Sequence, residues 1–220
     1  MVKKDGVLFE SNQLLVVEKP AGVITEDNPF EHNNLESNYR EYLRQKINNP
    51  YIGVVHRLDR VTSGVVLFAK KRETLKTLNK WFEQRKIQKT YWAITNKVPR
   101  EEKGVLTHYL LTDQKNKKAL VTDTKVKGAK KAELSYRILS SSSKGHLLEI
   151  KPKTGRFHQI RAQLSQIGCP IIGDEKYKSE AEYQPLQIAL HARSIELPSA
   201  INGSPLVFEA PSPNRDIWNS

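Results

Sequence analysis

The stretch His56-Arg57-Leu58-Asp59-Arg60-Val61-Thr62-Ser63-Gly64 places one carboxylate between two arginines, just ahead of a turn. In an extended chain the side chains alternate, so Arg57 and Asp59 are expected on one face. Neighbouring cations keep a carboxylate ionised. Thr62, Ser63 and Gly64 favour a tight turn, which can hold an ionised group at the rim of a sheet. The same residues also fit a surface Arg–Asp pair beside a turn, and their spacing alone leaves both readings open.

A second stretch, Lys153-Thr154-Gly155-Arg156-Phe157-His158-Gln159-Ile160-Arg161, combines a glycine, three cations and a histidine. A helix opened by Gly155 would offer free backbone N–H groups to a phosphate, with Arg156 and Arg161 adding charge. If Ile160 and Leu164 face the core, Arg161 lies beside them and needs a carboxylate, because an unpaired buried cation is costly. Asp59 is a candidate for that partner. His158 is either a base or a histidine hydrogen-bonded to backbone. A third stretch, Lys89-Thr90-Tyr91-Trp92-Ala93-Ile94, reads as a strand with Tyr91 and Trp92 on opposite faces. Either ring can belong to the core or stack a nucleobase, the latter for ~1–3 kcal/mol.

The elements that would position these groups follow from apolar patterning. Val7 to Pro20 reads as a strand pair, stopped by Pro20 and Gly22. The stretch Thr25–Asn34 is polar and irregular. Leu35, Tyr39, Leu43 and Ile47 recur at helical spacing, ended by Asn48-Asn49-Pro50. Val65 to Ala69 is a continuous apolar run, expected as a central strand covered on both faces. Glu73 to Lys86 is expected as a helix with Leu75, Leu78 and Phe82 on one side. Thr90–Thr95 is a strand, and the lysine-rich 101–131 stretch an exposed hairpin or two. Ser135–Leu139 and His146–Lys151 flank a serine-rich turn over Ser140–Gly145. A helix from Gly155 would be closed by Gly168 and Pro170. Leu190–Leu197 and Leu206–Phe208 are late strands. With no linker between two cores, residues 1–220 are expected to form one α+β domain: a mixed, mainly antiparallel central sheet with flanking helices.

Composition narrows the partners. The 220 residues carry 36 Lys plus Arg against 24 Asp plus Glu, a net charge of +12. A chain this basic suits a polyanion, since each cation near a phosphate releases a condensed counterion. The single cysteine, Cys169, excludes an internal disulfide framework and a cysteine-based zinc site. No stretch approaches the ~20 apolar residues of a membrane span, and Met1–Glu10 lacks the apolar core of a signal peptide. The chain is expected to be cytoplasmic.

Taken together, these stretches resemble the RluA family of RNA pseudouridine synthases. His56–Gly64 reproduces the family's HRLDxxTSG signature. Val7–Glu10 through Lys19-Pro20-Ala21-Gly22 resembles its N-terminal opening, and Lys89–Ala93 its K-x-Y-x-A strand. Gly155–Arg161 resembles GRxHQIR, followed by Ile167-Gly168 and Pro170-Ile171-Ile172-Gly173-Asp174. Leu190-His191-Ala192 and Phe208-Glu209-Ala210-Pro211 match its last elements. Phe157 departs from the small residue common at its position, Ala162-Gln163 replaces a frequent Val-His, and Cys169 a common His. Six residues precede Val7, so the S4 domain carried by many members is expected to be absent.

The resemblance implies isomerisation of a uridine in ribosomal or transfer RNA: N1–C1′ breaks, the uracil turns, and C5 bonds to C1′. It implies no cofactor and no metal, and the sequence shows neither a phosphate-binding glycine loop nor a cysteine cluster. It makes Asp59 the catalytic carboxylate, acting at C1′ or through a glycal, with Arg161 paired to it and Tyr91 against the uracil. It assigns Arg57 to the gap left by the flipped nucleotide. RNA contacts are expected from Arg57, Arg60, Lys89, Arg156 and His158, with the basic segment Lys115–Lys131 as a further phosphate grip or a solvated hairpin. A monomer is expected. The alternatives are a non-catalytic RNA-binding protein on the same fold and a metal-free nuclease using His56 or His158.

Overall fold

A computed structural model describes residues 6–31, 33–198 and 205–218. His32, inside the irregular stretch expected above, lies outside the described residues. In chain order the elements are β1 (Val7–Glu10), β2 (Leu14–Lys19), α1 (Leu35–Arg44), β3 (Gly53–Val54), β4 (Ser63–Ala69), α2 (Arg72–Glu83), β5 (Gln88–Thr95), β6 (Lys103–Asp113), β7 (Lys118–Thr122), β8 (Lys130–Ser142), β9 (Gly145–Pro152), α3 (Gln159–Gln166), β10 (Leu190–Leu197) and β11 (Leu206–Glu209). The fold is α+β. The chain divides into two compact units, residues Met1–Ile87 with Ala192–Pro211, and Gln88–His191 with Ser212–Ser220.

In the first unit β4 is the hub. Its apolar run Val65–Ala69 is buried throughout, as continuous apolarity requires of a strand covered on both faces. Antiparallel β2 aligns Val16 with Leu67 and Lys19 with Gly64; β1 continues outward from β2, and β3 pairs with the end of β4. Antiparallel β11 extends β10. Val16, Val65, Leu67, Leu78, Ile195 and Leu197 share one core. Helix α1 is capped by Asn34, whose Oδ1 accepts the Ser37 N–H at 2.8 Å. It buries Leu35, Tyr39, Tyr42 and Leu43. Ile47, expected as its fourth anchor, lies past the helix end and is exposed. Helix α2 ends three residues before the expected Lys86. Arg85 turns left-handed (φ 57°) and the Lys86 and Arg85 N–H groups return to the Trp81 and Phe82 carbonyls, a Schellman closure that propensity alone does not announce.

In the second unit the strands lie in the order β5–β9–β8–β6–β7, each antiparallel to its neighbour. The lysine-rich stretch is the β6–β7 hairpin together with the approach to β8. The β8–β9 turn is tighter than expected: Ser141 and Ser142 are still paired with His146 and Gly145, leaving Ser143 and Lys144 between the strands. Ala132, Ala162 and Tyr177 are among the residues of a core beneath β6 and β7.

One expectation fails in a way that matters for the site. Gly155 does not open a helix; α3 begins at Gln159. The reason is Gln159 itself. Its Oε1 accepts the Arg156 N–H (3.0 Å) and the Thr154 hydroxyl (2.7 Å), and its Nε2 donates to the Glu133 carbonyl (3.0 Å). These bonds stitch the stretch before α3 to β8 as a loop and occupy the Arg156 N–H, which a helix there would have left for a phosphate. Among the described residues, no helix is long and apolar enough to cross a membrane.

Candidate active site

In the first unit, Leu58 is buried while Arg57 is exposed and Asp59 half-buried. The alternation expected of an extended chain is therefore present, with Arg57 and Asp59 turned away from the core. The Leu58 backbone is fixed from both sides by Thr25, whose Oγ1 accepts the Leu58 N–H and donates to the Leu58 carbonyl, both at 3.2 Å. Beyond Asp59 the chain turns at once, the Thr62 N–H reaching the Asp59 carbonyl at 3.0 Å. Gly64 then enters β4 with φ 117° against the backbone of Ala192. A Cβ there would sit 2.3 Å from the Ala192 carbonyl oxygen, so no other residue fits without moving β10.

The arginines on either side are engaged. Arg57 donates to Glu26 at 2.8 Å, and Arg60 makes a two-pronged pair with Glu31. Both carboxylates come from the irregular Thr25–Asn34 stretch. His56 accepts the Leu67 N–H on Nε2 (3.1 Å) and packs against Phe82. That bond places the neutral ring's proton on Nδ1 and ties the histidine to β4, which counts against the nuclease reading for His56.

Sequence reasoning missed Lys19 as a site residue. Its side chain is fully buried, and its Nζ donates to the carbonyls of Pro20 (2.9 Å), Val23 (2.6 Å) and Arg60 (3.1 Å). The Gly22 N–H binds the same Arg60 carbonyl at 2.8 Å. Together they clamp the loop carrying Asp59 to the end of β2. Burial pulls the Lys19 pKa down to about 7, opposed by the Asp59 carboxylate and reinforced by Arg60. The available signal was a lysine at the end of a strand that opens with the apolar run Leu14–Val17.

In the second unit, Tyr91 is buried on β5 opposite Ile150, and Trp92 faces the other way, half-buried. Arg161 is buried on α3 at 5% exposure. Asp174 supplies a carboxylate for it: Arg161 Nε and Nη2 bind the two Asp174 oxygens at 2.7 and 2.8 Å. The guanidinium also lies over the Tyr177 ring, 5.1 Å from its centroid. Asp174 was legible only as the last residue of the Ile171-Ile172-Gly173-Asp174 element. Lys89 sits beside Gly155, with its Nζ 3.6 Å from where a glycine Cβ would be; desolvation pushes its pKa down. Arg156 donates from Nε to the Lys131 carbonyl at 3.0 Å, on a loop rather than at a helix N-terminus. His158 bonds Tyr177 through Nδ1 at 3.0 Å. Among the described residues, no group of three or more His, Cys, Asp or Glu could hold a metal ion.

Comparison with known proteins identifies the chemistry. The family model described as RNA pseudouridylate synthase matches residues 13–166. An uncharacterised RNA pseudouridine synthase of Zymomonas mobilis is 33% identical over 210 residues, covering 94% of this chain and 93% of the relative. A protein of Rickettsia felis named ribosomal large subunit pseudouridine synthase C is 32% identical over 215 residues, covering 96% and 69%. The solved structure of human RNA pseudouridylate synthase domain containing 4 superposes with a TM-score of 0.80 at 24% identity, covering 95% of this chain and 89% of that one, and shares the fold.

Proposed function

The chain belongs to the RluA-type RNA pseudouridine synthases, which are isomerases acting on RNA, and from that premise we propose that Asp59 is the carboxylate that attacks or deprotonates the ribose of the target uridine. The observation that carries the assignment is the care with which the Asp59 loop is held. Thr25 bonds both backbone polar groups of the preceding residue, Leu58; Lys19 and Gly22 share the Arg60 carbonyl; and Gly64 is pressed onto Ala192. A surface Arg–Asp pair needs none of this, whereas a reacting group must be held to within a fraction of an ångström.

Arg161 and Tyr91 complete the proposal. Arg161 serves as the guanidinium that steadies Asp59, and its bidentate hold on Asp174 fixes its own orientation beforehand. Tyr91 lies against the uracil and assists loss of the C5 proton. Arg57 fills the space left by the flipped nucleotide, and Arg60, Lys89, Arg156 and His158 contact the RNA. The substrate we propose is ribosomal RNA, in keeping with the names of relatives such as that of Rickettsia felis, acted on by a monomer in the cytoplasm.

The test is pseudouridine mapping of ribosomal RNA by carbodiimide stops, with wild type and Asp59→Asn. Wild type is expected to add stops without shortening the RNA, and Asp59→Asn to abolish them while still binding. Turnover by Asp59→Asn would remove the carboxylate from the mechanism. Energetic coupling of Asp59 and Arg161 is read separately from a double-mutant cycle on the rate.

A further inference from the structure

The loop between β9 and α3 carries a feature that the isomerisation chemistry does not use. Phe157 is 44% exposed, yet its ring is ordered against its neighbour: Phe157 and His158 stack with centroids 3.8 Å apart and planes 22° from parallel. Adjacent side chains normally diverge. Here His158 occupies the left-handed region, φ 49°, which is unusual for a non-glycine residue, and this turn brings the two rings together. The lower ring is anchored in its turn. His158 Nδ1 meets the Tyr177 hydroxyl at 3.0 Å, and that oxygen accepts the Ala119 N–H at 2.7 Å. Tyr177 is itself buried.

The surroundings are cationic. Arg156 is tied to the Lys131 carbonyl. Lys131 and Lys153 converge on one carboxylate, Glu133, at 3.2 and 2.8 Å, and both remain more than half exposed. Three cations against one anion leave net positive charge beside an exposed aromatic face. That pairing of a stacking ring with phosphate-seeking cations is how single-stranded nucleic acid is held.

We propose that Phe157, backed by His158, is a stacking platform for one unpaired nucleobase of the RNA substrate, with Arg156, Lys131 and Lys153 on the adjoining phosphates. The inference rests on the reading of this chain as an RNA-modifying enzyme, and it adds a specificity element outside the reacting groups. A small residue at position 157 would leave the imidazole bare and give up most of the stacking area, so acceptance of an unstacked purine next to the target is the expected consequence of this chain's phenylalanine.

The experiment measures binding of the whole chain to two fluorescent ten-nucleotide probes, oligo(rA) and its abasic counterpart. Neither contains uridine, so turnover does not intervene. Wild type is expected to prefer oligo(rA). Phe157→Ala and Phe157→Thr should lose about 5- to 150-fold on oligo(rA), the equivalent of about 1–3 kcal/mol of base–aromatic stacking, and nothing on the abasic probe. Phe157→Trp should keep the preference, and Lys153→Ala should weaken both probes alike and lower the salt slope. Equal affinity of wild type for the two probes, or equal loss on both by Phe157→Ala, would overturn the platform. Neither result bears on Asp59, whose own test is turnover.

Discussion

Lys19 in the first unit and Arg161 in the second are both buried cations, and the two are satisfied in opposite ways. Arg161 meets a carboxylate edge to edge, two N–H groups on two oxygens. Lys19 meets three backbone carbonyls. The guanidinium stays charged at any accessible pH and wants a planar anion. The ammonium has three donors on a pivot, so three neutral carbonyls from separate stretches of chain can share it. The Arg161–Asp174 pair therefore fixes one side chain's orientation, whereas Lys19 fixes backbone, including the carbonyl next to Asp59. Burial draws the Lys19 pKa down to about 7, against the pull of the Asp59 carboxylate.

The comparison breaks most visibly at Asp174. Asp174→Ala leaves a buried guanidinium without this anion, and removal of one partner of a buried pair costs about 3–5 kcal/mol. Urea denaturation should show the midpoint falling accordingly, with pseudouridine formation reduced even under conditions where the protein is folded. Asp174→Asn, which keeps the shape and one acceptor, should lose less stability. If Asp174→Ala unfolds like wild type, Arg161 takes its stability from elsewhere.

The counterpart at the other cation is smaller. Lys19→Met keeps the length of the side chain and its apolar stem but strands three carbonyls, of which Arg60's retains the Gly22 N–H. Unsatisfied buried acceptors cost about 1–3 kcal/mol each, offset here by no longer burying a charge, so a net loss of about 1–2 kcal/mol is expected in the same denaturation experiment. The larger consequence should fall on kcat, because the clamp holds the Asp59 loop rather than the substrate. A rise in KM with unchanged kcat would show that Lys19 acts on binding instead.

How much of this was legible differs between the two units for a physical reason. Around Asp59 part of the information is local: apolar Val65–Ala69 announces a covered strand, whereas the turn expected at Thr62-Ser63-Gly64 falls earlier, over Asp59–Thr62, and Ser63 and Gly64 already belong to β4. The arrangement around Arg161 is not local. The need for a carboxylate followed from burial beside Ile160 and Leu164, but its identity as Asp174 depends on Gly173 turning the chain left-handed (φ 84°) against Tyr183 and Gln187, which no periodicity reveals. The misplaced start of α3 has the same origin. Gly155 looked like a helix opening, whereas Gln159 binding back to Thr154, Arg156 and Glu133 is a decision made by side chains across two elements. Lys19 was hidden by type, since a lysine at a strand end is ordinarily exposed.

pH separates the two cations without mutation. Lys19 holds its proton to about pH 10.5 in the unfolded chain and to about 7 when folded. Between those values the unfolded state binds the extra proton, so this residue's contribution makes the folded state more stable as pH rises from about 7 toward 10.5 and less stable as pH falls back through 7. Stability of wild type minus that of Lys19→Met should therefore increase with pH across this window, with no matching slope from Arg161. Over the same range the neutral amine keeps only two donors for three carbonyls, so the hold on the Asp59 loop slackens while global stability improves. A difference that is flat between pH 7 and 10 would mean that the carbonyls keep Lys19 protonated after all.

The smallest effect expected lies at the surface of the Asp59 loop. Arg57–Glu26 is an ion pair whose side chains are 69% and 41% exposed, and pairs of this kind contribute about 0–1 kcal/mol. Glu26→Ala should leave the unfolding midpoint almost unmoved. Its effect should appear in RNA binding, because Glu26 occupies the guanidinium that we assign to the RNA, and phosphates or a vacated base position must displace it. Removing that competitor should tighten binding severalfold at low ionic strength, with the gain shrinking as salt screens the pair. Arg57→Ala should act in the opposite direction on binding with equally little effect on stability. If Glu26→Ala instead weakens binding, the acidic loop helps to hold Arg57 in the orientation the RNA needs, and the contrast with the buried, obligatory Arg161–Asp174 pair becomes one of strength rather than of role.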